Sequence, residues 1–201
     1  MTGSVPETEP SYGLAGRLVD GAALAAGYLL VLQALLTAAE IVARKLFNHS
    51  FQGVDELGGY MLALTASLGF GYAALHRAHT RVDFALSRLP LRARCILHLA
   101  AAAVLFGLAL FLLWNAWRAL GETLTYGSIA NSPLQTPLWI PQTLWLAGFG
   151  VFALCSGLVL LRAVQLWRQG DLAGLEAALR PPSLDEEIDE ALADSTGEAS
   201  Q

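Results

Sequence analysis

The sequence predicts an all-α membrane protein with four transmembrane helices and both termini cytoplasmic. Three observations carry that prediction. The 201 residues are 55% apolar and only 14% charged, too greasy for an ordinary soluble domain of this length. Four long runs are nearly free of acids and bases. The basic residues gather on alternate sides of those runs. The implied organisation is a short N-terminal segment (1–17), a four-helix membrane domain (18–165) and a solvated acidic tail (166–201).

Residues 1–16 hold Glu7 and Glu9 and no base. The apolar run that follows is longer than the core of a cleavable signal, so an uncleaved first span is expected over 18–42. Within it, Gln33, Thr37, Glu40 and Arg44 fall at spacings of four, three and four. They therefore share one helix face. A polar stripe in a span needs protein or water beside it. With Glu40 near the end of the span and no carboxylate at its centre, helix–helix adhesion is the expected role.

Span two, 57–75, has 19 residues without a charge. That is about the length that crosses a core of roughly 30 Å at 1.5 Å per residue. Asp55 and Glu56 open it, where a helix N-terminus favours acids. Gly59, Ala63, Ser67 and Gly71 recur every fourth residue. They predict a ridge of small side chains that admits a neighbouring helix closely.

The loop from His76 to Arg94 carries five arginines and is expected at anionic lipid head groups. Span three, 95–117, has no Asp, Glu, Lys or Arg; Trp114 and Trp117 near its end read as an aromatic belt. A polar loop follows, Gly121–Pro137. Span four covers 138–161, with Pro137 and Pro141 at its start, where the first helical turn lacks internal donors and tolerates proline.

Nine basic residues fall on the side of the termini and three (Arg44, Lys45, Arg118) on the other, which predicts cytoplasmic termini. Residues 1–170 carry a net +3 and the rest −8, so the overall charge of −5 describes neither part. In the tail, Leu184, Ile188 and Leu192 mark one face of a short helix.

Cys95 and Cys155 form no CxxC pair and no metal spacing. The histidines do not form the axial pairs on facing helices that a di-haem bundle needs. No hydrolytic grouping or phosphate loop is present. No enzyme activity, cofactor, metal or nucleic-acid partner is expected. The alternatives weighed are a self-contained four-span protein with a bound cofactor, such as a b-type cytochrome, and a homo-oligomeric channel.

Two blocks resemble a known family. The first runs from Glu40 to Pro90, with Arg44, Phe47, Asn48, Glu56, Gly69, His79, Arg81, Val82 and Asp83. The second is SPLQTPLWIPQ, residues 132–142, with Pro137, Trp139, Pro141 and Gln142. Together they are similar to the small permease subunit (DctQ-like) of tripartite ATP-independent periplasmic (TRAP) transporters. Lys45 stands where that family commonly has tyrosine, and Gly53-Val54 where it often has tryptophan.

The resemblance implies a four-span scaffold in the bacterial inner membrane. Its partners would be a large multi-span permease subunit, which holds the substrate and sodium sites, and a periplasmic solute-binding protein. The system would import an organic anion, a dicarboxylate or related carboxylate, with a cation gradient. On this reading Gly59, Ala63, Ser67, Gly71, Glu40, Arg44 and Glu56 serve helix packing and subunit contact. His79, Arg81 and Asp83 order the cytoplasmic turn. Pro137, Trp139, Pro141 and Gln142 shape the periplasmic loop and the start of span four.

Overall fold

A computed structural model describes residues 13–48, 52–76 and 89–179. They form five helices: α1 (Gly13–Phe47), α2 (Val54–Leu75), α3 (Leu91–Tyr126), α4 (Trp139–Gln169) and the short α5 (Leu172–Leu179). Among the described residues the only β-type pairing is one isolated bridge, between Ile129 and Pro137. Three helices, α1, α3 and α4, are long and apolar enough to cross a membrane. At 22 residues α2 is about 33 Å long, but Gly, Ser, Thr and Tyr interrupt its apolar residues.

The helices extend past the apolar runs. α3 has 36 residues and spans about 54 Å, well over a hydrocarbon core of about 30 Å. Its last turns take up Gly121–Tyr126, so the loop expected from Gly121 begins at Gly127. α4 likewise runs on to Gln169 rather than ending near Leu161.

The four long helices stand in the order α1, α2, α4, α3, each packed on the next. α2 runs antiparallel to α1: Ala26 O accepts a hydrogen bond from Thr65 Oγ1, and Val54 O accepts one from Gln33 Nε2. α2 and α4 run in the same direction, since Ser67 lies against Gly148 and Gly71 against Val151 and Phe152. α3 returns along the far side of α4, with Phe106 against Gly157.

Lipid tails are as apolar as leucine, so burying leucine between helices gains little; close approach through small residues does the holding. α3 shows this plainly. Cys95, Ala102, Ala109, Ala116 and Thr123 are spaced seven apart and all are buried. A seven-residue repeat keeps one seam facing its partner when two helices wrap left-handedly. On α4, Phe149, Ser156 and Ala163 follow the same spacing and are buried too.

α5 is the part of the expected tail that packs. Gly170, at φ 75°, reverses the chain, and the Asp171 carboxylate accepts a hydrogen bond from the Gly174 N–H. Leu172, Leu175 and Leu179 then cover Cys95 and Ala163, and Arg94 pairs with Glu176 at 2.6 Å. Leu175 has 0% of its surface exposed, so Leu175→Ala should cost about 3 kcal/mol. It should also open the Cys95 thiol to maleimide, which labels the wild type slowly; equal labelling rates in the two proteins would show that α5 does not cover Cys95. The acidic segment beyond Leu179, with its Leu184–Leu192 stripe, lies outside the described residues.

Candidate functional site

The end of the bundle where α1 finishes and α2 and α4 begin carries the densest polar arrangement. On α1, Gln33 Nε2 donates to Thr37 Oγ1 at 3.2 Å and to the Val54 carbonyl at 3.2 Å. One to two turns on, Glu40 is 3% exposed and receives a hydrogen-bonded ion pair from Arg44. Spacing alone puts these four on one face, and the face turns toward the head of α2.

Glu56 organises the neighbouring layer. Its carboxylate accepts from Tyr60 OH at 2.7 Å and from the hydroxyl of Ser132. Glu56 lies just ahead of the apolar run that begins at Leu57. The Ser132 hydroxyl, and after it that of Tyr60, hold its carboxyl below the usual carboxylate range. The group is therefore a fixed anion that ties the α3–α4 loop to α2.

That loop is a small hairpin. Ala130 N donates to Thr136 O at 2.9 Å, Leu138 N to Ser128 O at 3.2 Å, and Gln135 N to Ser132 O at 3.1 Å, with Gln135 at φ 49°. Its tip bends over α2: the Leu134 side chain lies where a Cβ on Gly53 would fall. Gly53 sits at φ 93°, a conformation that side-chain-bearing residues avoid. Glycine there lets the chain turn into α2 and leaves room for the leucine. Between Glu40, Arg44, Gly53, Asp55, Glu56 and Ser132 remains an open cavity of about 220 Å³. It is lined by three carboxylates and one guanidinium.

Ser132→Ala removes a donor to a carboxylate, a bond worth about 1.5–3 kcal/mol when charged, less where water reaches it. The expected result is faster proteolysis within residues 127–138 with the helices intact. Unchanged protection would mean that the hairpin holds itself without Glu56.

The ridge of small residues divides. Ser67 and Gly71 are buried against α4, and a Cβ on Gly148 would collide with Ser67 Oγ. Gly59 and Ala63 are exposed, and among the described residues nothing beyond its own helix turn lies within 4 Å of a Cβ built on Gly59. Helix geometry explains the split: each four-residue step drifts about 40°, so the four positions sweep about 120° of the circumference. One half makes the internal seam and the other half faces outward.

The remaining sequence-predicted residues are placed as follows. Pro137 closes the hairpin by its bridge to Ile129. Trp139 begins α4 and is exposed. Pro141 lies in the first turn of α4. Gln142 is half-buried, and its Oε1 has no hydrogen-bond partner among the described residues. His79, Arg81 and Asp83 lie outside the described residues. Towards the hairpin end of α3, Arg118 pairs with Glu122 on its own helix at 3.6 Å, with no tie across the bundle among the described residues. Sequence reading overlooked the α3 heptad and the Ser132–Glu56 strap. The first was visible as a small residue at every seventh position of 95–123; the second joins residues 76 apart and leaves no local signal. Among the described residues, no three His, Cys, Asp or Glu side chains gather as a metal site.

A family model described as "Tripartite ATP-independent periplasmic transporters, DctQ component" matches residues 33–168. No curated protein and no solved structure matches the chain.

Proposed function

The chain belongs to the DctQ component family of tripartite ATP-independent periplasmic transporters, and from that premise we propose that it is the four-span small membrane subunit of such a system. It is a transporter component from a family of non-enzymes, and its helices suit a membrane. On this reading α2 is the fourth span, standing between two helices that are each able to cross. The termini are cytoplasmic and the hairpin end faces the periplasm of a bacterial inner membrane. The chain braces the large permease subunit, which imports the organic anion, a dicarboxylate or related carboxylate, using a cation gradient as the driving force. It also presents a surface to the periplasmic solute-binding protein.

The observation that carries the bracing role is the exposed half of the small-residue ridge. Gly59 and Ala63 flank Leu62 and Ala66 on a face of α2 that is exposed among the described residues. A helix from a larger neighbour can come close there. The docking role is supported by reach: α3 continues nine residues past Trp117, about 13 Å, and so carries the hairpin clear of the aromatic belt. Affinity purification of this chain from detergent-solubilised membranes tests the proposal. The large multi-span subunit should come with it in equal amount; recovery of the small chain alone, in a mild detergent, would refute the bracing role.

A further inference from the structure

α1 packs principally on α2, and its polar ties to that helix are few. Gln33 reaches Val54 O near one end, and Thr65 reaches Ala26 O in the middle. At the other end, Asp20 Oδ1 meets His76 Nε2 at 2.6 Å, and the His76 ring lies on Tyr72 with centroids 4.2 Å apart. The first end is also joined covalently by the short connection to α2. Among the described residues, the Gly13 end is held by the Asp20–His76 pair and the apolar contact of Val19 with the cluster around Ala74 and Leu75.

We infer that Asp20 and His76 form a proton-responsive catch that fixes the Gly13 end of α1 against α2. With the imidazole protonated, the contact is a charge-assisted hydrogen bond to a carboxylate. With the ring neutral, the same nitrogen donates a weaker one. Imidazole is the side chain whose charge changes between about pH 5 and 8. The charged side chains on elements packed against this end of α2, among the described residues, are Asp20 and Arg17 of α1 and Arg162 and Arg168 of α4. On α2 itself Tyr72 is the neighbouring titratable group. Asp20 is the one with a polar atom at hydrogen-bonding distance.

Both partners are partly exposed, at 36% and 50%. The docked-to-open ratio is therefore expected to change about two- to fivefold on protonation, the range for exposed ion pairs. The sign is fixed: acid closes the catch and alkali loosens it. What moves is the helix that shows Leu24, Tyr28, Val31 and Leu35 to its surroundings, so the surface this chain offers to lipid or partner acquires a pH dependence.

The test uses the full chain in lipid nanodiscs, with Cys95 and Cys155 changed to alanine and spin labels at Gly21→Cys on α1 and Gln165→Cys on α4. Pulsed dipolar spectroscopy at pH 5.5 should give one narrow distance distribution. At pH 8.5 a longer component should grow about two- to fivefold. His76→Lys, which keeps its charge at both values, should hold the narrow distribution throughout. Asp20→Asn should show the longer component at both. A wild-type distribution indifferent to pH, an Asp20→Asn chain that responds as wild type does, or a His76→Lys chain that loosens at pH 8.5 would each overturn the inference.

Discussion

Gly148→Leu should unseat α2 from α4 and destabilise the bundle by about 3 kcal/mol, the upper part of the usual range for overpacking a close contact. The reason is local and stiff. At this point the α4 backbone meets Ser67, a residue 1% exposed whose Oγ donates to Leu64 O at 2.8 Å. A Cβ at 148 would strike that hydroxyl and the Ser67 Cβ behind it. The hydroxyl can turn about χ1 only by giving up its bond to Leu64 O, and the Ser67 Cβ, fixed by the α2 backbone, cannot swing aside at all. Gly157→Ala is the instructive comparison. Its new Cβ would lie 3.1 Å from a ring carbon of Phe106, and a ring can tilt, so a smaller loss is expected. Equilibrium unfolding in mixed micelles reads both. Equal stabilities for wild type and Gly148→Leu would show that the α2–α4 seam is not a close contact.

The second large effect belongs to the outward half of the same ridge. Gly59→Leu combined with Ala63→Leu should leave the unfolding free energy of the isolated chain within about 0.5 kcal/mol of wild type, as surface changes usually do. Space around Gly59 is open and both positions are exposed. Recovery of the large subunit with the doubly substituted chain should nevertheless fall at least tenfold, since two leucines there would hold a partner helix away. A seam mutation lowers folding and partner recovery together; a face mutation lowers recovery alone. Full recovery of the large subunit with the doubly substituted chain would move the subunit contact to some other face.

How much of this was legible in the sequence depends on how local each signal is. The helices were readable because apolar runs free of charge are local. Their ends were not: Arg118–Tyr126 continues α3 through polar residues, and Gly127, at φ 60°, stops the helix where backbone freedom allows it. The glycine–alanine–serine ridge was read as one surface, yet a four-residue step does not close on a 3.6-residue helix, and two of its members turn outward. The α3 seam escaped notice because alanine and cysteine every seventh residue look like background in a run already full of alanine. α5 was hidden in a tail read by its charge: the leucines at 172, 175 and 179 have helical spacing, but only the fold shows Cys95 beneath them. The polar stripe Gln33–Arg44 was visible from spacing alone. What it faces, the head of α2 and the cavity beside Glu56, came only with the hairpin in place.

The most direct measurement is uptake of radiolabelled dicarboxylate, with and without an inwardly directed sodium gradient, into proteoliposomes prepared with this chain alone, with the large subunit alone, and with both, each supplied with the solute-binding protein. The account predicts gradient-driven uptake only where both membrane subunits are present. Uptake by vesicles holding this chain without its larger partner would contradict it.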